Sequence, residues 1–250
     1  MAYEPIIPRA RLGFIIPTSN RMVEPQVQRY MPPGVVPHFT RIGMTNKHKA
    51  PLEQQLPKMA AAAEALSESK MNAIILQCTG TSMSGGLETE KRVIDAMERA
   101  SGVPCSTAAS SLTSAFRALN ARKLVFVSET KQPDHEKKLK YLREAGYDIV
   151  ADKAVGLAGS DEYCTMPPQL WFDTTVALKN DQADAYFISC ANIHSIDVIE
   201  ELEKVLNKPV VTSNQAAIWK SLRLAGVYDA VPGLGQLLRH DAKSGVLAAE

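Results

Sequence analysis

Short runs of apolar, β-branched residues alternate along the chain with longer stretches of helical periodicity. The apolar runs lie at 12–16, 72–76, 123–127, 185–188 and 209–212. They show little alternation between apolar and polar positions, which is typical of strands buried on both faces of a parallel sheet. Apolar residues recur at helical spacing over 52–69, 88–100, 112–119, 134–145, 169–180, 196–206 and 215–225. This alternation predicts a doubly wound α/β fold.

The chain also contains a weak internal repeat, with one copy at 72–119 and the other at 184–225. Each copy has a predicted strand that ends in a cysteine, a loop of small residues and a helix. A proline, a short strand, a threonine and a second helix follow in both. The matched cysteines are Cys78, in NAIILQC, and Cys190, in DAYFISC. The repeat therefore predicts two similar α/β halves with a cysteine at equivalent strand ends.

Composition narrows the class of protein. The 250 residues are 45% hydrophobic, enough to bury a core in one large domain or two smaller ones. The net charge of +1 argues against a general nucleic-acid or membrane-surface binder, since such proteins need a basic field. No apolar run approaches the roughly 18 residues of a membrane span, and no signal-peptide pattern begins the chain, so we expect a cytoplasmic protein. Four cysteines without CxxC or CxxH spacing predict free thiols and no zinc site.

Three polar loops follow predicted strands, where open α/β sheets bind their ligands. Backbone N–H groups at helix starts, with hydroxyl and amide side chains, favour an anion there. The absence of a lysine favours a carboxylate over a nucleotide phosphate, and no GxGxxG or GxxxxGK[ST] motif indicates a nucleotide cofactor. Gly80 would let a ligand approach the backbone closely. The loops are Pro17, Thr18, Ser19 and Asn20; Cys78, Thr79, Gly80, Thr81 and Ser82; and Cys190, Ala191 and Asn192.

The matched cysteines are the candidate catalytic groups. Buried cysteines are common as small apolar residues, but the repeat favours a functional role for Cys78 and Cys190. A cysteine at a helix N-terminus can have a lowered pKa, and thiolates are good nucleophiles and bases. His194 is a candidate for a Cys–His hydrolase pair with Cys190, and His135 is a further candidate site residue. Nearby Lys137, Lys138 and Lys140 predict a solvated helix face.

Several motifs in order along the chain point to a known family. They are PTSN at 17–20, GTS at 80–82, VPCST at 103–107, SC at 189–190, RLAG at 223–226 and PGLGQL at 232–237. Together they resemble the aspartate/glutamate racemase superfamily, in its branch of maleate cis-trans isomerases and arylmalonate decarboxylases. The resemblance implies two pseudo-symmetric Rossmann-like lobes with mostly parallel sheets and an active site in the cleft between them. We place the first lobe at 1–118 plus 225–250 and the second at 119–224.

The resemblance also implies roles for individual residues. Cys190 corresponds to the catalytic cysteine of the second lobe, Asn20 to a ligand of the substrate carboxylate, and Thr81 and Ser82 to carboxylate donors. We expect Pro17, Thr18, Ser19, Thr79, Gly80, Thr130, Ala191 and Asn192 to complete the substrate-binding site. The resemblance implies a small carboxylate substrate, neither metal nor organic cofactor, and a homodimer as the assembly to expect.

The first-lobe cysteine allows two alignments. Aligning NAIILQC puts Cys78 at the isomerase nucleophile, whereas aligning GTS puts Gly80 there, which is the decarboxylase pattern with one catalytic cysteine. The family's tyrosine after the third strand is missing, since 128–131 is SETK. Because the internal repeat supports the first alignment, we expect a cis-trans isomerase or racemase that uses Cys78 and Cys190 through an enediolate-type intermediate. Decarboxylation of a substituted malonate by Cys190 is the alternative, and non-catalytic carboxylate binding is a third.

Overall fold

Two four-stranded parallel sheets form the framework of the computed structural model, which describes residues 7–239. The first sheet has the order β2-β1-β3-β4 and the second the order β6-β5-β7-β8, so the two lobes share one topology. This confirms the predicted pair of similar α/β lobes. The strands are β1 (Ala10–Pro17), β2 (Val35–Ile42), β3 (Ala73–Leu76), β4 (Cys105–Thr107), β5 (Lys123–Ser128), β6 (Asp148–Ala154), β7 (Ala185–Ile188) and β8 (Val210–Thr212).

Helices follow the strands in the same order in both lobes, and the predicted helical segments are all present. Four short helices, α1, α3, α7 and α11, were not predicted, because each has eight residues or fewer and carries too little periodic signal. The helices are α1 (Val23–Tyr30), α2 (Leu52–Ser67), α3 (Thr79–Met83), α4 (Gly86–Ser101), α5 (Ala108–Ala118), α6 (Gln132–Glu144), α7 (Ser160–Tyr163), α8 (Pro168–Val176), α9 (Ile199–Leu206), α10 (Ser213–Leu224) and α11 (Gly235–Arg239), with 3₁₀ turns at Asn46–His48 and Ser195–Val198.

The edge strands β2 and β6 were also missed, for a physical reason. Each pairs on one side only, with β1 and β5 respectively, and most of its residues are partly exposed. Edge strands therefore carry polar residues, and β2 tolerates Pro37. The continuous apolar signature belongs to the inner strands β1, β3, β5 and β7 and to β8, an edge strand that is also fully buried, so burial rather than position in the sheet decides the pattern.

The two lobes share one hydrophobic core. Helices α5 and α10 pack against each other and against strands of both sheets. The resulting apolar cluster includes Phe14 of the first lobe with Phe116 and Phe187, whose rings meet edge to face at 5.6 Å. The segment after residue 225, which we predicted to belong to the first lobe, contacts both lobes. Asp229 pairs with Arg9 of the first lobe, whereas α11 packs against α9 and β8 of the second. The boundary at 225 stays a prediction, and residues 1–6 and 240–250 lie outside the described residues.

Helices α2 and α4 are the longest of the described part of the chain, at 16 residues each. No helix between residues 7 and 239 has both the length and the apolar character that a membrane crossing requires.

Candidate active site

A cleft of about 600 Å³ lies between the lobes, where the carboxyl ends of β1, β3, β5 and β7 meet. Each inner strand contributes the loop that follows it, so the repeat brings four strand ends to one place. This is the edge at which parallel α/β sheets bind ligands. Most predicted site residues line the cleft, namely Pro17, Ser19, Asn20, Cys78, Thr79, Gly80, Thr81, Thr130, Cys190, Ala191 and Asn192.

Two predicted residues do not reach the cleft. Thr18 is exposed, and its backbone N–H donates to the carbonyl of Ile42 at 3.1 Å, continuing the pairing of β1 with β2. Ser82 is buried inside the first lobe. Its hydroxyl donates to the carbonyl of Cys78 at 3.0 Å and accepts from the N–H of Ala109 at 3.2 Å. The GTS loop is the helix α3, and Ser82 therefore serves its structure rather than a ligand.

Cys190 follows β7 in an unusual backbone conformation. Its φ is +116°, a value that side-chain-bearing residues rarely adopt. The backbone N–H donates to the hydroxyl of Ser213 at 3.1 Å, and the sulfur accepts from the N–H of Asn192 at 3.3 Å. Strained residues of this kind are concentrated at functional sites, where the surrounding structure holds them. The structure thus places the Cys190 thiol in the cleft at a conformational cost.

Cys78 occupies the equivalent position after β3. It precedes α3, and its carbonyl accepts from the N–H of Ser82 at 2.9 Å. The thiol donates to the hydroxyl of Thr81 at 3.1 Å. The side chain packs against the apolar cluster of the first lobe and also lines the cleft that Cys190 lines. Both matched cysteines therefore face one cavity.

The thiol pKa values differ from the predicted lowering. Burial raises the pKa of Cys78, and the hydrogen bonds with Thr81 and the charge of Lys138 offset only part of this. Burial also raises the pKa of Cys190 well above its ordinary value, and the nearby carboxylate of Glu129 adds to the increase. The prediction is wrong because desolvation of a thiolate outweighs the short helix α3, and because Cys190 is followed by irregular backbone rather than a helix start.

An ion pair in the cleft wall was not predicted. Lys138 Nζ lies 2.8 and 2.7 Å from the two carboxylate oxygens of Glu129 and 3.1 Å from the Oγ of Ser189. The side chains are 3% and 5% exposed, and both residues line the cleft. Lys138 therefore does not belong to the solvated face that we predicted for Lys137, Lys138 and Lys140. Glu129 could have been selected from the sequence because it is next to Thr130, a predicted site residue. Nothing in the local sequence distinguishes Lys138 from Lys137 or Lys140.

Tyr163 of α7 also lines the cleft. Burial raises its pKa, and the nearby charges of Glu129 and Cys190 raise it further, so its hydroxyl stays protonated. The cleft therefore contains a tyrosine, supplied by a helix that follows β6 rather than by the loop after β5. Its residue type alone gave no reason to select it from the sequence.

The two candidate histidines lie away from the thiols. His194 Nε2 is 3.0 Å from the carbonyl oxygen of Cys164, and its Nδ1 is 3.7 Å from Asp197, so it does not pair with Cys190. His135 is buried beneath the cleft wall, with Nδ1 2.7 Å from Ser128 Oγ and Nε2 2.9 Å from Asp152. This row has the order of a hydrolase triad, but Ser128 is 0% exposed and no substrate can reach its hydroxyl.

A seam of hydrogen bonds joins the two lobes where the loops after β1 and β7 meet. The side-chain amide of Asn20 donates to the carbonyl of Ala191 at 2.9 Å, and Gln26 donates to Ile193 at 2.9 Å. The Asn192 side chain accepts from the N–H of Arg21 at 2.8 Å. Asn20 Oδ1 also accepts from two N–H groups at the start of α1. The seam fixes the loops after β1 and β7 relative to each other before any ligand binds.

The segment between β2 and α2 and residues 158–163 form a second part of the lining, which we call the outer wall. It contributes Met44, Leu52 and Lys49, and Met59 and Met83 also line the cleft. Thr79 lines the cleft, but its Oγ1 is buried and has no hydrogen-bond partner within residues 7–239. In the same range, no group of three His, Cys, Asp or Glu side chains is arranged to hold a metal ion. The lining therefore combines thiols, hydroxyls and apolar residues with two ion pairs, Glu129–Lys138 and Asp134–Lys137, and with Lys49. The sequence-based expectation that lysine is absent from the site is wrong, because these lysines come from segments outside the three predicted loops.

Comparison of the sequence with known proteins identifies one family. Residues 12–238 match the family model described as arylmalonate decarboxylase. The maleate isomerase of Nocardia farcinica is 27% identical over 93% of this chain and 96% of its own. The arylmalonate decarboxylase of Bordetella bronchiseptica is 28% identical over 67% of this chain and 72% of its own.

Solved structures share the fold. A maleate isomerase from Pseudomonas putida superposes with a TM-score of 0.85 at 22% identity, covering 93% of this chain and 99% of its own. A variant of the Nocardia farcinica maleate cis-trans isomerase, with a covalently bound succinylcysteine intermediate, superposes with a TM-score of 0.84 at 24% identity over 93% and 99%. The predicted two-lobed architecture is therefore that of solved proteins.

Proposed function

The chain belongs to the arylmalonate decarboxylase family, and from this we propose that it is a cysteine-dependent isomerase of a small carboxylate. The reaction is a cis-trans isomerisation of the maleate type, or a racemisation, through an enediolate-type intermediate. The observation that carries the proposal is that Cys78 and Cys190 line a single cleft from equivalent strand ends. A decarboxylase with one catalytic cysteine has no use for the second thiol.

The surroundings of the two thiols assign their roles. Burial raises the pKa of both thiols, and for each of them Glu129 raises and Lys138 lowers the pKa. The geometry differs more clearly: Cys78 directly precedes α3 and is hydrogen-bonded to the Thr81 hydroxyl, whereas Glu129 adds a hydrogen bond that favours the neutral thiol of Cys190. Environments that separate two similar groups in this way mark one as base or nucleophile and the other as acid. We assign Cys78 as the nucleophile and Cys190 as the proton donor.

The proposed steps leave no net proton change. Cys78 first loses its proton to solvent. The resulting thiolate adds to one alkene carbon, and the electron pair of the double bond moves into the conjugated carboxylate to give an enediolate. Cys190 donates its proton to the second alkene carbon, which leaves a saturated adduct on Cys78 and a thiolate on Cys190. After rotation about the new single bond, Cys190 removes a proton from that carbon. The carbon–sulfur bond then breaks and the trans product leaves.

Two side chains of the first lobe support binding of the substrate carboxylate. Asn20 uses one amide hydrogen on Ala191 and has a second for a ligand. Thr81 brings a hydroxyl beside Cys78, whereas the Thr79 hydroxyl is buried. A Cβ at Gly80 would meet nothing within 4 Å, so the backbone there borders open space. Hydrogen bonds to the developing enediolate from such fixed donors lower the barrier to addition.

The test is an NMR assay of maleate with Cys78→Ala and Cys190→Ala. Each substitution should lower kcat by about 1000-fold or more, because each removes a group that touches the reacting atoms. Cys105→Ala is the matched control, since Cys105 is buried in β4 away from the cleft. Full activity of Cys78→Ala would contradict the two-cysteine mechanism.

Decarboxylation of a substituted malonate is the second candidate, and the apolar residues of the lining favour it. Met44, Leu52, Met59 and Met83 line a cavity with room for a substituent larger than a four-carbon acid carries. Carbon dioxide release from an arylmalonate panel separates the candidates. Here Cys190→Ala should abolish product and Cys78→Ala should retain much of it. Tight binding without turnover of either substrate class would leave only the carboxylate-binding alternative.

A further inference from the structure

The Glu129–Lys138 pair has no structural need to be ionic. Both side chains are nearly inaccessible to water, and Lys138 is bound to both oxygens of Glu129 and to Ser189, the residue before Cys190. Burying two charges costs desolvation free energy, and apolar side chains of similar volume are often at least as stabilising. Both residues also line the cleft beside the catalytic thiol. The position therefore points to a role in the reaction.

We propose that Glu129 and Lys138 are positioning residues that hold the thiol of Cys190 as the proton donor. The carboxylate of Glu129 accepts the hydrogen bond of the thiol, and Lys138 orients that carboxylate through two hydrogen bonds and the link to Ser189. The inference rests on the proposed function, in which Cys190 donates the proton.

The charges around Cys190 support this assignment. Glu129 lies after β5, Lys138 on α6 and Tyr163 on α7, and all three interact with the thiol. From α10 the Cys190 backbone meets only the neutral hydroxyl of Ser213, and Cys78 shares the cleft. The raised pKa of Tyr163 keeps it neutral. Glu129 raises the pKa of Cys190 more than Lys138 lowers it, so the pair favours the thiol over the thiolate.

The same pair affects the second half of the reaction. Once Cys190 has given its proton to carbon, its thiolate lies beside a carboxylate, and the two negative charges repel. Recovery of a proton from the adduct relieves that repulsion. The pair thereby disfavours a long-lived adduct on Cys78 and favours conversion of that adduct to product. Lys138 limits the repulsion, so that Cys190 can still transfer its proton to carbon in the first half of the reaction.

The test measures the titration of Cys190 in the resting full-length protein. Iodoacetamide alkylation of each cysteine is followed by mass spectrometry from pH 6.5 to 10.5 in Glu129→Gln and Lys138→Met. Glu129→Gln removes the negative neighbour, so the apparent pKa of Cys190 should fall and its alkylation at a fixed lower pH should rise about tenfold or more. Lys138→Met should shift the same profile in the opposite direction.

Matched controls lie on the exposed face of α6. Glu136→Gln and Lys140→Met make the same chemical changes on side chains outside the cleft, and should leave the Cys190 profile unchanged. Cys105 is an internal reference in the same spectra, because burial raises its pKa to about 11 independently of the pair.

The double variant keeps the proposal testable if a single variant fails to fold. Glu129→Gln with Lys138→Met leaves no unpaired charge, and its Cys190 profile should lie between those of the wild type and Glu129→Gln. An unchanged profile in the folded variants would overturn the proposal. A shifted profile in a protein that turns over neither maleate nor malonates would retain the pair's effect and reject the proposed reaction instead.

Discussion

Cys190 differs from the other non-glycine residues with positive φ. Lys70, Asn120 and Asn207 have φ between 51° and 59°, in the ordinary left-handed helical region, whereas Cys190 is at 116°. A side chain held there costs about 1–3 kcal/mol. Glycine would avoid that cost, so the presence of cysteine here supports the proposed role of the thiol.

This backbone strain predicts that glycine and alanine variants at position 190 reverse their usual order of stability. Glycine normally destabilises an ordered position relative to alanine by about 0.5–1 kcal/mol. At position 190 we expect Cys190→Gly to be more stable than Cys190→Ala by about 1–2 kcal/mol, because only glycine relaxes the backbone. Urea unfolding with equal m-values measures the difference. The same two substitutions at Cys105 should show the ordinary order, and a less stable Cys190→Gly would show that no strain is stored.

The residues that could be identified from sequence share one property. Cys78, Cys190 and Asn20 each lie within three residues of the end of a buried strand that the sequence marks with continuous apolar residues. The topology of the sheets therefore predicts that they meet. Lys138 shows the limit of such reasoning. It lies among lysines of similar appearance on α6, and only the packing of that helix against the loop after β5 makes it buried.

At the scale of elements, the inner strands, the buried edge strand β8 and the long helices were predictable, because burial determines their pattern of apolar residues. The edge strands β2 and β6 were not, since one pairing side and partial exposure leave a mixed pattern. The helix α3 could not be predicted either, because the intrinsic preferences of the residues TGTS favour a loop. Its helical form depends on tertiary contacts, including the bond between Ser82 and Ala109.

Substitution of Gly80 in α3 should affect substrate binding without lowering the stability of the fold. Gly80→Ala should fold with unchanged or slightly higher stability, by about 0.5–1 kcal/mol, because alanine favours a helix and its Cβ meets no protein atom. Because Gly80 lines the cleft, the added methyl group should take up space that the substrate needs, and KM should rise. Thermal unfolding and steady-state kinetics on the same preparation check both. A lower stability with unchanged KM would place Gly80 outside the binding surface.

At the scale of the whole molecule, the shared core and the seam link the two lobes. We predict a single cooperative unfolding transition, with equal calorimetric and van't Hoff enthalpies. Amides of β3 and β7 should exchange with similar free energies of opening, although they belong to different sheets. Phe187→Ala in the shared cluster should lower both together. Protection lost in β7 alone would show that the lobes unfold independently.

The cleft is built from two sets of residues that are separate along the chain. Strand ends supply the thiols and the seam, whereas 44–52 and 158–163 supply most of the outer wall. Substitutions in the wall can change which molecule fits without moving the reacting groups. Substrate range can therefore diverge in descendants of this chain while the chemistry is inherited unchanged, and recognition evolves independently of reactivity.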